Sequence, residues 1–251
     1  MRRLLLFGGT TEGRRLAQAA LHIPLAVTVC VATNYGEELL PPGCVVQTGR
    51  LDARGMETMM RRGTFDWVVD ATHPYAVEAT ANIRTAAAAA GLPYLRLLRQ
   101  AAPLAAGAHL CTSAGEAAAA LCRTMGNILL TTGSKELSAF AALPRERLYV
   151  RVLPTQAAIR LCEKAQIPHS HIIAMQGPFG EELNRALIGQ FSIAHLVTKD
   201  GGTAGGFLEK QRAAAACGTA LWVIRRPSEA GLSYEKVLRI LRRESEETAC
   251  R

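Results

Sequence analysis

The chain has 251 residues, 49% of them hydrophobic and 20% charged, with a formal net charge of +8. That apolar content excludes a disordered chain, and 22 Gly and 11 Pro without a fixed period exclude collagen-like and low-complexity classes. The length suffices for one large domain or two ordinary ones, with a core that needs no disulfide or metal staple.

The first apolar run, residues 4–7, is four residues long before Gly8, against roughly 7–15 for a signal-peptide core. It reads as the buried first strand of a cytoplasmic protein. The longest apolar stretch, 21–32, contains His22, Pro24 and Thr28 and is shorter than the ~18–20 residues a membrane span needs. Short apolar runs predict strands at 3–7, 25–31, 67–70, 94–98, 128–131, 149–153, 171–175, 195–198 and 221–224. Amphipathic or Ala-rich segments between them predict helices at 12–21, 53–62, 77–90, 115–124, 135–142, 156–164, 181–188 and 207–216. A last helix, 233 to about 243, carries Tyr234, Val237, Leu238 and Leu241 on one face, with Ser233 as its cap and a fraying tail after Glu244.

Continuous apolar strands alternating with helices mean mainly parallel sheets covered on both faces, an α/β class. Nine strands exceed one typical sheet of ~4–6. The segment 100–109 breaks both periodicities. The expectation is two α/β domains, 1–99 and 100–251, with a cleft between them.

Seven Cys, at 30, 44, 111, 122, 162, 217 and 250, form no C-x-x-C pair. An odd count without that spacing argues against a disulfide framework and against zinc, so no metal site is expected. The basic residues come in dispersed pairs, such as Arg14-Arg15 and Arg225-Arg226, and only 5% of residues are aromatic. That leaves too few rings for a base-stacking platform. A small polyanion suits the charge at least as well as nucleic acid or a membrane.

Gly8-Gly9-Thr10-Thr11-Glu12-Gly13 follows the first strand and opens the first helix. Glycines there let the backbone approach a phosphate at a helix N-terminus. The turn matches neither G-x-G-x-x-G, because of Thr10, nor a P-loop, because Arg14-Arg15 replace Lys-Ser/Thr. The second strand ends in 30–36, including Thr33, with no acid before Glu37 and with Arg50 nearby. An uncharged loop beside an arginine suits the 2′-phosphate of NADPH better than the ribose of NADH, which stays open.

The third strand runs into Asp70-Ala71-Thr72-His73-Pro74-Tyr75-Ala76. His73 titrates near neutral pH and is a candidate proton donor. In the second half, 130–135, Gln176-Gly177-Pro178-Phe179 and 198–206 all follow strands. Lys135, Arg151, Lys199 and Lys210 would give that rim a positive potential, and each charge-assisted bond to a carboxylate contributes roughly 1.5–3 kcal/mol.

The ordered set Gly8–Glu12, 70–76, 130–135, 176–179 and Val197-Thr198-Lys199-Asp200 closely resembles the precorrin-6A reductase family of cobalamin biosynthesis, over nearly the whole length. The resemblance implies two Rossmann-like domains with an active site between them. It implies reduction of the C18–C19 double bond of precorrin-6A, or of its cobalt form, by a pyridine nucleotide. Gly8, Gly9, Thr10, Thr11 and Glu12 would then form the nucleotide turn, with Thr33 and Arg50 as further cofactor candidates. Thr72, Thr132, Gly133, Ser134, Lys135, Arg151, Gln176, Gly177, Lys199, Asp200, Gly201, Gly202 and Lys210 would meet the polycarboxylate substrate. The proton source is left among His73, Tyr75, Lys199 and a water. A monomer or small homo-oligomer is expected. The rival readings are another NAD(P)H oxidoreductase, a corrinoid-pathway methyltransferase that binds S-adenosylmethionine, and a non-catalytic tetrapyrrole- or nucleotide-binding protein.

Overall fold

The structure is a computed structural model that describes residues 1–98, 102–202 and 205–249. The chain divides into two compact units, Met1–Gln100 with Pro227–Arg251, and Ala101–Arg226. The first unit carries β1 (Arg2–Phe7), β2 (Leu25–Val31), β3 (Val45–Thr48), β4 (Trp67–Asp70) and β5 (Tyr94–Arg96). They form one sheet in the order β3-β2-β1-β4-β5, and every pairing is parallel. Helices α1 (Thr11–Ala20), α2 (Asn34–Glu38), α3 (Ala53–Arg62) and α4 (Val77–Ala89) connect the strands.

Alternation along β1 explains the layering, since successive side chains leave opposite faces of a strand. Leu5 and Phe7 pack with Met56 and Met60 of α3 and with Ile83 of α4. Leu4 and Leu6 pack on the other face with Leu16, Ala17 and Ala20 of α1. Each fully buried leucine contributes roughly 1.5–3 kcal/mol.

The second unit carries β6 (His109–Cys111), α5 (Ala114–Leu121), β7 (Asn127–Leu130), a 3₁₀ segment Ser134–Phe140, β8 (Leu148–Val152), α6 (Gln156–Lys164), β9 (Ile172–Ala174), α7 (Glu181–Gln190), β10 (Ile193–Lys199), α8 (Phe207–Ala216) and β11 (Ala220–Ile224). Its sheet order is β6-β11-β10-β7-β8-β9, again with every pair parallel. Ile188 of α7 and Phe207, Ala213 and Ala214 of α8 bury Leu129, Leu196, Leu221 and Val223. Among the described residues, no helix is long and apolar enough to cross a membrane.

The α/β class and the parallel sheets agree with the sequence reading, while several details differ. Strands β3 and β6 and helix α2 were not expected. The helix foreseen at 135–142 is the 3₁₀ segment Ser134–Phe140. The C-terminal helix α9 (Tyr234–Ala249) runs past Glu244 instead of fraying there. It also departs from the expected 100–251 domain, because the chain returns to the first unit. Its Val237 and Leu241 are buried in the same cluster as Leu16 and Ala20 of α1. The apolar stripe that defined the helix needs a partner, and α1 supplies it. Ser233 does cap it, accepting from the Lys236 N–H at 3.3 Å. The expected boundary at 99/100 and the middle of the 198–206 loop lie outside the described residues.

Candidate functional site

In the first unit the strand order reverses at β1, whose neighbours β2 and β4 lie on opposite sides. Ligands of open α/β sheets bind outside the strand carboxyl ends at such a point. Along that rim the chain places Arg50 after β3, Thr33 after β2, Gly8–Glu12 after β1, and Thr72, His73 and Tyr75 after β4. Sequence candidates from four separate segments therefore meet on adjacent strand ends.

The Gly8–Glu12 turn is tied to the 70–76 loop. The Thr10 hydroxyl accepts from the Gly13 N–H at 3.1 Å and donates to the Ala71 carbonyl at 2.9 Å. It thus caps α1 and holds the turn. A Cβ on Gly13 would lie 3.0 Å from Ala71 Cβ, so that position stays tight. Gly9 has φ +145, and the nearest atom to a Cβ there is Thr72 Cα at 3.9 Å. A turn with this backbone, leading into the unsatisfied N–H groups of a helix start, fits a phosphate. Arg14 Nη2 donates to Thr11 Oγ1 at 3.2 Å and sets a cation beside it. Glu12 is buried in the first turn of α1.

Thr33 caps α2 by accepting from the Gly36 N–H at 3.1 Å. Arg50 is exposed. Glu37, the first acid after β2, accepts from the Thr48 hydroxyl. His73 and Tyr75 are half-buried, their rings 5.5 Å apart and tilted by 32°.

Beneath this loop sits a network that sequence reasoning missed. Asp70, wholly buried, accepts from the Thr72 N–H at 2.9 Å, the Thr72 hydroxyl at 2.7 Å and Arg96 Nη1 at 3.1 Å. Its other oxygen accepts from the Tyr94 hydroxyl at 3.0 Å. Burial, and then the Asp70 charge, push the Tyr94 phenol well above its ordinary pKa, so it remains a donor. Arg96 Nε reaches Glu229 at 3.0 Å. Asp70 opens a motif that was noticed, but Arg96 and Glu229 carry no local pattern that points to it.

In the second unit the adjacent strands β10, β7, β8 and β9 end in succession. Their ends bring together Lys199, Asp200, Gly201 and Gly202; then Thr132, Gly133, Ser134 and Lys135; then Arg151; then Gln176 and Gly177. Lys199 pairs with Glu136 at 2.7 Å, an acid the sequence reading passed over. Asp200 pairs with Arg226 at 3.3 Å and accepts from the Gly202 N–H at 3.2 Å. Lys135 and Gln176 are exposed.

Two expected rim cations are largely buried. Lys210 is buried with Phe207, Ala213 and Ala214 on one face of α8, the helical spacing that turns it inward. Arg151 is buried and bonded to Asn184 of α7. Thr132 is buried too, and among the described residues its Oγ1 has no hydrogen-bond partner.

Residues 3–242 match the family described as precorrin-6x reductase CbiJ/CobK. The chain belongs to that family. It is 35% identical over 238 residues to the cobalt-precorrin-6A reductase of Priestia megaterium, covering 92% of this chain and 93% of that one. It is 36% identical over 231 residues to the precorrin-6A reductase of Rhodococcus erythropolis, with 90% of each covered. The solved structure titled CobK precorrin-6A reductase superposes with a TM-score of 0.79 at 25% identity, over 96% of both chains. The CbiJ/CobK match thus spans both rims, and with them every sequence-derived site residue.

Proposed function

We propose that this chain reduces a double bond of precorrin-6A, or of its cobalt form, in corrin-ring assembly, using a pyridine nucleotide. The observation that carries the reading is the family match over residues 3–242, which includes both rims. The first unit binds the nucleotide. Gly9 and the start of α1 face the pyrophosphate, and Arg14 adds charge beside it. Thr33 and Arg50, on adjacent strand ends, would meet a 2′-phosphate, and on this reading NADPH is preferred to NADH. The reduced nucleotide, when bound, supplies the hydride.

The chain's own residues then have three tasks. The Thr10 and Asp70 contacts keep the turn and the 70–76 loop rigid, so the nucleotide is held in one pose. The rim of the second unit receives the carboxylates of the tetrapyrrole through Lys199, Lys135, Arg151 and the loop backbones. A proton reaches the second carbon of the reduced bond from His73, Tyr75 or Lys199, or from a water they hold.

The relatives carry both the cobalt and the metal-free substrate names, so both substrates belong in the assay. Anaerobic mixing of the protein with NADPH and each tetrapyrrole tests the reading. Loss of reduced-nucleotide absorbance that requires both protein and tetrapyrrole is expected. Binding of both ligands with no loss of absorbance for either substrate, with NADPH or NADH, would overturn it.

A further inference from the structure

Among the described residues, Arg151 is a buried cation without a counter-charge. The residue is 7% exposed. Its Nη1 donates to Asn184 Oδ1 at 2.8 Å, and its guanidinium carbon lies 4.3 Å from the centre of the Phe179 ring. Among the described residues no carboxylate pairs with it. Burial pulls its pKa down to about 10.

The surroundings are built to aim this group. Asn184 is 1% exposed, and its Nδ2 donates to the carbonyls of Gly180 at 2.7 Å and Phe179 at 3.3 Å. Those bonds fix the amide, so Oδ1 faces the guanidinium. A guanidinium has five donors in a rigid planar fork. Asn184 engages one nitrogen, and the phenyl ring covers a face. The Nε and Nη2 edge has no protein acceptor among the described residues. An in-plane carboxylate matches such an edge through two parallel bonds. Leaving a buried charge against only a neutral amide and a ring is costly, and an anion from outside would offset that cost.

The place is right for a ligand. Val150 is level with Leu130 at the end of β7, and Arg151 is the next residue. A Cβ on Gly206 would lie 3.4 Å from Pro178 Cβ and 3.6 Å from the Phe179 nitrogen, so the Phe179 segment abuts the start of α8. The Arg151 group therefore shares its rim with the loop that follows Lys199. Two other cations of that rim already face carboxylates, Lys199 with Glu136 and Arg226 with Asp200. On the neighbouring strand end the buried Thr132 hydroxyl also lacks a partner among the described residues.

We propose that Arg151 is a specificity-determining residue, which takes one ionised carboxylate of the tetrapyrrole edge-on and rejects the ester or amide at that position. Phe179 and Asn184 are its positioning residues. This deepens the reductase reading and rests on it for the identity of the substrate. An ester brings no charge to offset the guanidinium, and an amide sets its own N–H groups against it.

The test pairs kinetics with a direct probe. In R151Q the KM for precorrin-6A is expected to rise about 10- to 100-fold, the loss of a charge-assisted pair. The turnover number should change far less, and NADPH affinity should be unaltered. R151K should recover part of the loss, supplying charge without the fork. An unchanged KM in folded R151Q, with wild-type protein turning over, overturns the proposal and leaves the reductase reading standing. If wild-type protein fails to turn over, or R151Q fails to fold, the Arg151 Nε resonance of wild-type protein decides. Cobyrinic acid, a corrin polycarboxylate, should shift it saturably, and the fully methyl-esterified form should not. No shift with the acid, or equal shifts with both, overturns the proposal.

Discussion

Arg96 and Asp70 meet at 3.1 Å with side chains 2% and 0% exposed. The pair closes the end of β4, and Arg96 Nη1 also donates to the Thr72 carbonyl at 3.0 Å. The loop carrying His73 and Tyr75 is thus anchored by a buried charge pair. Asp70→Ala leaves the guanidinium without that carboxylate and the Thr72 N–H without its acceptor. Breaking a buried pair costs about 3–5 kcal/mol. Urea unfolding should show a loss of that size, together with weaker nucleotide binding.

Gly9 holds a backbone that a side chain resists. At φ +145 a residue with a Cβ is strained, by roughly 1–3 kcal/mol. The added atom also points toward Thr72, the start of the 70–76 loop. Gly9→Val should weaken NADPH binding more than tenfold, by the factor that about 1.4 kcal/mol or more of strain represents. The protein should still fold, with a modestly lower Tm. Fluorescence titration with NADPH and a thermal scan would check both parts.

Arg50 tests the cofactor preference separately. If its charge meets the 2′-phosphate, Arg50→Glu should lower NADPH affinity about 10- to 100-fold. NADH affinity should move little. Parallel titrations with the two nucleotides give the ratio, and an equal loss for both would assign Arg50 no role in the choice.

His195 should make the second unit less stable in acid. Its Nδ1 accepts from Trp222 Nε1 at 3.2 Å, and its Nε2 faces the Met125 carbonyl at 2.9 Å. Burial lowers its pKa, and the charge of Arg147 and then of His109 add to that, while the Met125 bond opposes it. The folded state therefore holds it neutral while the unfolded chain takes up a proton more readily. The stabilisation is complete above the unfolded value of about 6.5 and is lost as pH falls from there toward the lower folded value. Tm should fall between about pH 7 and pH 5, and His195→Gln should flatten that slope.

Much of this was legible in the chain because strong local patterns carried it. The run 25–31 and the helices at 53–62, 156–164 and 207–216 are periodic and bounded, and the structure keeps those limits. Strand β3 was missed because it has four residues, alternates exposed and half-buried positions, and sits at a sheet edge. Strand β6 has three residues, also at an edge. The docking of α9 on α1 depends on which partner its apolar stripe meets, and no local spacing encodes that. The rims were readable because strand ends and glycine-bearing loops mark them. The pairings behind them were not, since Asp70 and Arg96 are 26 residues apart and Arg151 and Asn184 are 33 apart. A cation in a strand looks like a surface charge until the helix that covers it is known.

The central claim is reduction of the tetrapyrrole, and its mass reads that most directly. The protein would be incubated anaerobically with NADPH and precorrin-6A, and in parallel with the cobalt form, before mass analysis of the pigment. The account predicts a gain of two hydrogen atoms in one or both substrates that is absent without protein. An unchanged mass for both, with binding demonstrated and NADH also tried, would contradict it.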